Sequence, residues 1–278
     1  LDVWAVDGGQ GLVADARCLQ VYVTRAVRVH WQNGCSVFED EGRLRAWLLG
    51  LGEERAARAA LETWGAPVSP GAPVDINLLR DWGEWSLVSG SVLECSPGGL
   101  VLVDGDLRPD WRIRSSWLGE LLSSAAARDV AVVGVTKHSS LSHGGAPLVG
   151  QLERTARLDL GPRACWWVPV ARTRPEAGPE LQVVVARLDP DARFAFRIDL
   201  PGTVPAELTL GALSALSDDA AFPGYPYPLS VADRLAACSA WLRHEVWDQI
   251  RAELDRAGVA VEVQERAFAD RHRLMERS

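Results

Sequence analysis

The stretch Gly99-Leu100-Val101-Leu102-Val103-Asp104-Gly105-Asp106-Leu107 constrains the fold of this chain more than any other. Its unbroken apolar run has no polar face and predicts a buried strand. The run ends in a carboxylate. Burying a lone carboxylate is costly, so Asp104 needs a metal ion, a cation or several donors as its partner. A plain strand followed by an Asp-Gly turn fits the same residues when they are taken alone. Two other stretches repeat the pattern. Asp2-Val-Trp-Ala-Val-Asp7-Gly8-Gly9 ends on Asp7, and Asp129-Val-Ala-Val-Val-Gly-Val-Thr-Lys137 ends on Lys137. Sites in open α/β sheets lie at the carboxyl ends of strands. If the strands ending in Asp7 and Asp104 are parallel neighbours, their carboxylates converge and repel unless a divalent cation lies between them. All-oxygen ligation suits Mg²⁺ or Mn²⁺, and such a centre supports phosphoryl chemistry.

Lys137 is the only lysine among 278 residues, every other non-histidine basic side chain being arginine. A coding bias explains the arginines but not the exception. A compact ammonium at this strand end, where a planar guanidinium will not fit, does explain it; chance survival of one lysine is the alternative. The net charge of −8 argues against a broad basic face for nucleic acid. It leaves room for a local groove: Arg154, Arg157, Arg163, Arg172 and Arg174 cluster in residues 148–174, and Arg108 follows the Asp104 stretch. No apolar run approaches the ~18 residues of a membrane span. No basic segment leads into an apolar one, and five scattered cysteines form no Cys-x-x-Cys pair. A cytoplasmic protein with reduced thiols is therefore expected. No P-loop, Gly-x-Ser-x-Gly elbow, zincin pair or dinucleotide fingerprint is present.

In chain order, the pattern predicts a strand over 2–8 and a long strand over 18–32 that turns at Asn33-Gly34 into a third strand. Helices follow over 41–64 and 75–93, the second capped by Asp75, with Leu79, Trp82, Ser86 and Val88 toward the core and Glu84 on another face. A helix over 115–128 precedes the Lys137 strand. A helix at 146–158, strands at 164–171, 181–188 and 193–199, and a short helix within 204–218 come next. Gly224-Tyr225-Pro226-Tyr227-Pro228 is too rigid for helix interior. Beyond it, Val231, Leu235, Cys238, Leu242, Val246, Ile250 and Leu254 predict one long amphipathic helix over 229–257, stopped by Gly258. Residues 259–263 read as a strand and 264–278 as a charged helix or tail. With no repeat or linker in the sequence, a single α/β domain over 1–278 with a mixed sheet is the expected architecture.

Four segments in this order, Val6-Asp7-Gly8-Gly9, Leu102-Val103-Asp104-Gly105-Asp106-Leu107, Gly134-Val135-Thr136-Lys137-His138-Ser139 and Gly224-Tyr225-Pro226-Tyr227-Pro228-Leu229, resemble the NurA nuclease family. The resemblance runs from the first strand to the long helix. It implies an RNase H-like (Piwi-like) core whose first and fourth strands are adjacent, bringing Asp7 and Asp104 together. It implies a manganese-dependent nuclease acting 5′ to 3′ on DNA ends and on single strands, forming a homodimer and working with the hexameric HerA translocase in resecting double-strand breaks. By position, Asp7 and Asp104 are the implied metal ligands. Glu84 matches a family glutamate on the preceding helix, with Glu94 as fallback, and Lys137 matches a family lysine. The family's Ala-His pair after the Tyr-Pro-Leu segment is here Ala232-Asp233. Aspartate still ligates a hard cation but cannot serve as a neutral imidazole base. Asp106 reads as a solvent-facing outer group.

The expected function is thus phosphodiester hydrolysis by metal-activated water. Asp7, Glu84, Asp104 and Asp233 hold Mn²⁺ or Mg²⁺, and Lys137 holds or neutralises the phosphate. Lys137, Arg108, Arg154, Tyr225 and Tyr227 contact DNA. A protein of the same fold that binds DNA and the translocase with weak or no cleavage is the alternative, and an enzyme acting on RNA or a hybrid is a third.

Overall fold

The computed structural model describes residues 1–40 and 42–268. In chain order the strands are β1 (Asp2–Asp15), β2 (Gln20–Gln32), β3 (Cys35–Glu39), β4 (Arg45–Leu49), β5 (Leu100–Asp104), β6 (Ala131–Thr136), β7 (Ser142–His143), β8 (Ala146–Pro147), β9 (Trp166–Thr173), β10 (Leu181–Arg187) and β11 (Phe196–Pro201). The helices are α1 (Arg55–Thr63), α2 (Ile76–Glu94), α3 (Trp117–Ala127), α4 (Leu148–Asp159), α5 (Ala206–Ala215), α6 (Tyr227–Ala236), α7 (Ala240–Arg256) and α8 (Val261–Phe268). The chain divides into two compact units. One comprises residues 1–7, 26–42 and 84–236; the other comprises 8–25, 43–83 and the described residues from Ala237 onward.

The first unit carries a mixed sheet in the order β3-β2-β1-β5-β6-β11-β10-β9. β1, β5 and β6 run parallel, and β11, β10 and β9 are antiparallel to their neighbours. The hairpin strands, then β1, then β5 beside it give an RNase H-like core flanked by helices. The central strands bury almost every residue, as their unbroken apolar runs require. One face of the sheet is covered by α5 and α6: Leu210 and Leu213 of α5 and Leu229, Val231, Ala232 and Ala236 of α6 share a core with Val3, Ala5, Leu100, Leu102, Val133 and Val135. Each fully buried Leu or Val contributes about 1.5–3 kcal/mol, so α6 is firmly held on the sheet. Two glycines have steric reasons to be there. A Cβ on Gly134 would lie 2.6 Å from the Gly105 carbonyl oxygen. Gly224 has φ +92° and would drive a Cβ to 2.4 Å from the Ala192 Cβ.

In the second unit β4 pairs antiparallel with Gln20–Thr24 of β2. The Trp47 indole donates to the buried Thr24 hydroxyl at 2.8 Å. Val21, Val23, Trp47, Leu49, Leu61, Leu78 and Leu79 are among its buried residues.

Several elements depart from the sequence expectation. β1 does not end at Gly8 but continues to Asp15, because Gly8 and Gly9 are extended and not turning. The helix expected from 41 is a strand followed by α1; its first residue, 41, lies outside the described residues. Gly50, Leu51 and Gly52 all have positive φ and interrupt any helix, and β4 buries only Trp47 and Leu49 in alternation. In α2 the buried residues are Leu78, Leu79, Glu84, Trp85, Val88, Ser91 and Val92, with Ser86 exposed and Trp82 half-buried. The single helix over 229–257 is two helices. Ser239 caps α7 by accepting the Leu242 N–H at 3.2 Å, and only Val246 of α7 is buried. Residues 261–263 begin α8 and form no strand. The expected terminal helix or tail beyond Phe268 lies outside the described residues.

Candidate metal centre

The site follows from strand alternation. Val3 and Ala5 of β1, Leu100 and Leu102 of β5, and Ala131, Val133 and Val135 of β6 point to the face that α6 covers. Side chains two residues apart share a face, so Asp7, Asp104 and Lys137 are the next outward members of three inward-facing rows. The rows are in register: Val3 pairs with Leu100 and Val6 with Val103, while Asp104 pairs with Val135. Neighbouring strands lie about 4.8 Å apart. That spacing sets the carboxylates of Asp7 and Asp104 side by side where the β1–β5 pairing ends. α6, fixed over the same face, adds Asp233.

One carboxylate oxygen from each of Asp7, Asp104 and Asp233 lies within 4.8 Å of the other two. Asp7 is buried, Asp104 half-buried and Asp233 exposed. The Lys137 Nζ donates to Asp104 Oδ2 at 2.6 Å and to Asp233 Oδ1 at 2.7 Å. Burial pulls the Lys137 pKa down, but these two carboxylates outweigh it and hold the ammonium above its ordinary value. The same Nζ stands 5.0 Å from the centroid of the Tyr225 ring, within cation–π range. Three carboxylates and one ammonium carry a formal charge of −2. A divalent cation neutralises that charge, and the all-oxygen donors suit a hard ion such as Mg²⁺ or Mn²⁺. The residues present therefore fit the implied metal.

The turn after Asp104 is clamped from below. Arg197 of β11 donates to both oxygens of Asp199, at 2.8 and 2.9 Å, and to Asp106 at 2.9 Å. Asp199 also accepts the Leu107 N–H at 2.9 Å. Burial raises the Asp199 pKa against the pull of Arg197 and the Leu107 N–H. Asp106, expected to face solvent as an outer group, is instead tied to a buried arginine. Arg197 and Asp199 were not expected from the sequence as site residues. The signal was available: Phe196-Arg197-Ile198-Asp199-Leu200 places a charged pair on an otherwise apolar strand, and buried charges come paired.

The remaining candidates are placed as follows. Glu84 is buried on α2, outside the group of three converging carboxylates. Glu94 is at the surface, paired with Arg28 at 2.7 Å. Tyr225 does not offer its ring to a base, because it is 1% exposed and packs against Phe196 and Phe222. Its hydroxyl has no well-directed hydrogen-bond partner. Burial, together with the negative charges of Asp104 and Asp7, raises its pKa well above the usual value, so it stays protonated. Tyr227 is half-buried and packs edge-on against Trp31 at 5.2 Å. Arg108 is exposed, 3.9 Å from Asp106. Arg154 is exposed and lines a cleft with Arg157 and Arg193.

No protein-family model and no curated protein matches the sequence. Solved structures do match the fold. The NurA nuclease from Sulfolobus solfataricus superposes with a TM-score of 0.62 at 18% identity, covering 92% of this chain and 85% of that one. A second NurA structure gives a TM-score of 0.54 at 11% identity, covering 93% and 90%. Human ENDOV gives 0.46 at 16% identity, covering 84% and 82%. The chain has a NurA-like fold, with three acidic side chains and one lysine gathered at the carboxyl end of its parallel strands.

Proposed function

We propose that the protein is a metal-dependent DNA nuclease that hydrolyses phosphodiester bonds. The convergence of Asp7, Asp104 and Asp233 around Lys137, in a fold shared with NurA nucleases, carries this reading. Asp7, Asp104 and Asp233 would hold one or more Mn²⁺ or Mg²⁺ ions, with Glu84 as a further candidate from α2. A divalent ion bound there supplies a Lewis acid that polarises the phosphoryl group and lowers the pKa of a coordinated water. Asp7 and Asp104 belong to paired strands, so their oxygens are fixed before substrate arrives and need little reorganisation. Lys137 holds its ammonium between Asp104 and Asp233, from where it can be drawn to a phosphate oxygen as a point charge. Tyr225 stays neutral beneath it and fills the floor of the site. Asp233 lacks an imidazole's neutral base form, so proton removal from the attacking water falls to carboxylate oxygens or solvent.

In this reading the substrate is a DNA end or single strand. The implied setting is 5′-to-3′ end resection by a homodimer in the cytoplasm, coupled to a HerA-type hexameric ATPase. That setting rests on the resemblance of the four sequence segments to the NurA family; the acidic cluster by itself supports only the chemistry. Incubation of purified protein with end-labelled linear DNA and Mn²⁺ tests the proposal. Cleavage that is abolished by chelator and by Asp104→Asn supports it. Equal inertness of wild type and variant, with the translocase also present, would instead favour a protein that binds DNA and translocase without cutting.

A further inference from the structure

A second feature of the first unit begins at Lys137, beside the acidic cluster. Lys137 lines a depression of about 400 Å³ with His138, Ser139, Val149, Ala195 and Arg197. The next residues along both walls, Gly150 after Val149 and Phe194 before Ala195, line a second cleft of about 440 Å³. That cleft is bordered by Arg154, Arg157, Arg193 and Trp166. Its volume falls within the ~300–1,000 Å³ of small-molecule sites.

The chemistry of the lining is specific. Among the described residues, Arg154, Arg157 and Arg193 have no ion-pair partner, although the chain is acidic overall. Glu153 lines the cleft itself, and the carboxylates here are already engaged. Glu153 accepts the Ala195 N–H, and Asp191 pairs with Arg163 at 2.8 Å. The Arg187 guanidinium is spent on the carbonyls of Pro162, Pro190 and Ala192, which makes it a wall and not a ligand. Phe194 is 52% exposed, and Trp166 is half-buried. The Arg193 guanidinium stands 5.9 Å from the centroid of the Phe194 ring, so one face of that ring is taken and its exposed remainder is what a base can meet. Arginines without ion-pair partners beside an exposed ring are what a single-stranded nucleic acid uses: phosphates meet arginine, and bases stack on rings.

Resting on the nuclease reading, we propose that this cleft is a single-strand subsite. It holds a nucleotide of the strand whose neighbouring phosphodiester lies at Lys137, with the phosphate against Arg154, Arg157 and Arg193 and the base against Phe194. The two depressions are neighbours, since Val149 and Gly150 of α4 line one each, as do Ala195 and Phe194 in the segment leading into β11.

Binding of a fluorescein-labelled oligothymidylate, measured by anisotropy in chelator, tests this. No cleavage occurs under these conditions, so the result does not depend on whether the protein is a nuclease. Arg154→Ala with Arg157→Ala is expected to weaken binding about tenfold. It should also flatten the log K against log salt line by roughly 1–1.5, since each lost phosphate contact on a single strand accounts for ~0.7. Phe194→Ala is expected to weaken binding at least fivefold with the salt slope unchanged. All three side chains are exposed, and an unaltered thermal midpoint establishes that the variants fold. Failure of the wild type to bind would overturn the proposal, as would wild-type affinity and slope in the double variant. An equal loss for a blunt hairpin duplex would overturn the single-strand assignment. Cleavage of long strands lost in Asp104→Asn but with oligothymidylate affinity retained would separate this subsite from the chemistry it serves.

Discussion

Lys137→Met is the most informative single change, because it keeps the unbranched apolar stem and removes the ammonium with its two hydrogen bonds. The Asp7 and Asp104 oxygens lie within 4.8 Å, and two charges at that separation repel by about 3.5 kcal/mol at an effective dielectric of 20. Lys137 offsets that repulsion through its 2.6 Å contact with Asp104. Its contact with Asp233 counts for less, since that carboxylate is 56% exposed and screened by water. Asp104 is only 12% exposed, so its loss of a partner falls between a surface pair (~0–1 kcal/mol) and a buried one (~3–5 kcal/mol). A loss of about 2–3 kcal/mol is expected in chelator. For a chain of this size that lowers the thermal midpoint by roughly 4–12 °C. The variant also raises the formal charge of the cluster from −2 to −3, so Mn²⁺ should stabilise it more than it stabilises the wild type. A ligand at a hundred times its Kd adds about 2.7 kcal/mol, enough to recover most of the loss. Differential scanning calorimetry in chelator and in Mn²⁺ reads both effects. A variant that melts with the wild type in chelator would refute the electrostatic reasoning. So would a variant whose response to Mn²⁺ is no larger than that of the wild type.

Three further outcomes follow from other parts of the site. Asp199→Ala leaves Arg197 buried with Asp106 alone and strands the Leu107 N–H, so urea denaturation should show a loss of about 3–5 kcal/mol. Gly134→Ala places a methyl group 2.6 Å from the Gly105 carbonyl oxygen and must push the turn that follows Asp104; DNA cleavage should fall at least tenfold while far-ultraviolet circular dichroism stays unchanged. At Asp2, burial raises the pKa, but the Ser96 N–H at 2.8 Å and the His30 ring outweigh it and the carboxyl is lowered. A depressed carboxyl contributes stability that is fully present above its unfolded value of ~3.9. That stability is lost as pH falls through the lower folded value, so Asp2→Asn should flatten the acid limb of a stability–pH curve below about pH 4.

The chemistry of this protein was legible in its sequence where a local pattern and a global constraint coincided. Asp104 and Lys137 stood out because continuous apolar strands end in charge, and a buried strand tolerates charge only at its end. The parallel pairing of β1 with β5 was not in the local pattern; it came from the resemblance to NurA. Asp7 was read as a strand end, yet β1 runs on for eight residues. What ends at Asp7 is the pairing with β5, a tertiary event that no propensity encodes. The stripe from Val231 to Leu254 looked like one helix because its spacing is unbroken. A serine cap three residues beyond α6 was enough to divide it, and the apolar residues of α7 are mostly left unburied. A charged pair two apart on a strand is by itself ambiguous between a solvent-facing edge and a buried ion pair, so the sequence does not assign Arg197 and Asp199. Here β6 and β10 flank that strand on both sides, and the pair turns inward to hold the Asp104 turn. Tyr225 shows the opposite case: an aromatic ring is a candidate for contact with DNA, whereas a rigid Pro-Tyr-Pro turn favours a structural role, and the ring indeed fills the core beneath Lys137.

The central claim is that Asp7, Asp104 and Asp233 form a divalent-metal centre. Anomalous scattering from crystals soaked in Mn²⁺ tests it most directly. The account predicts a peak within coordinating distance of all three carboxylates, with the Lys137 ammonium displaced from at least one of them. A map with no peak there, and with Lys137 still bridging Asp104 and Asp233 at saturating Mn²⁺, would contradict it.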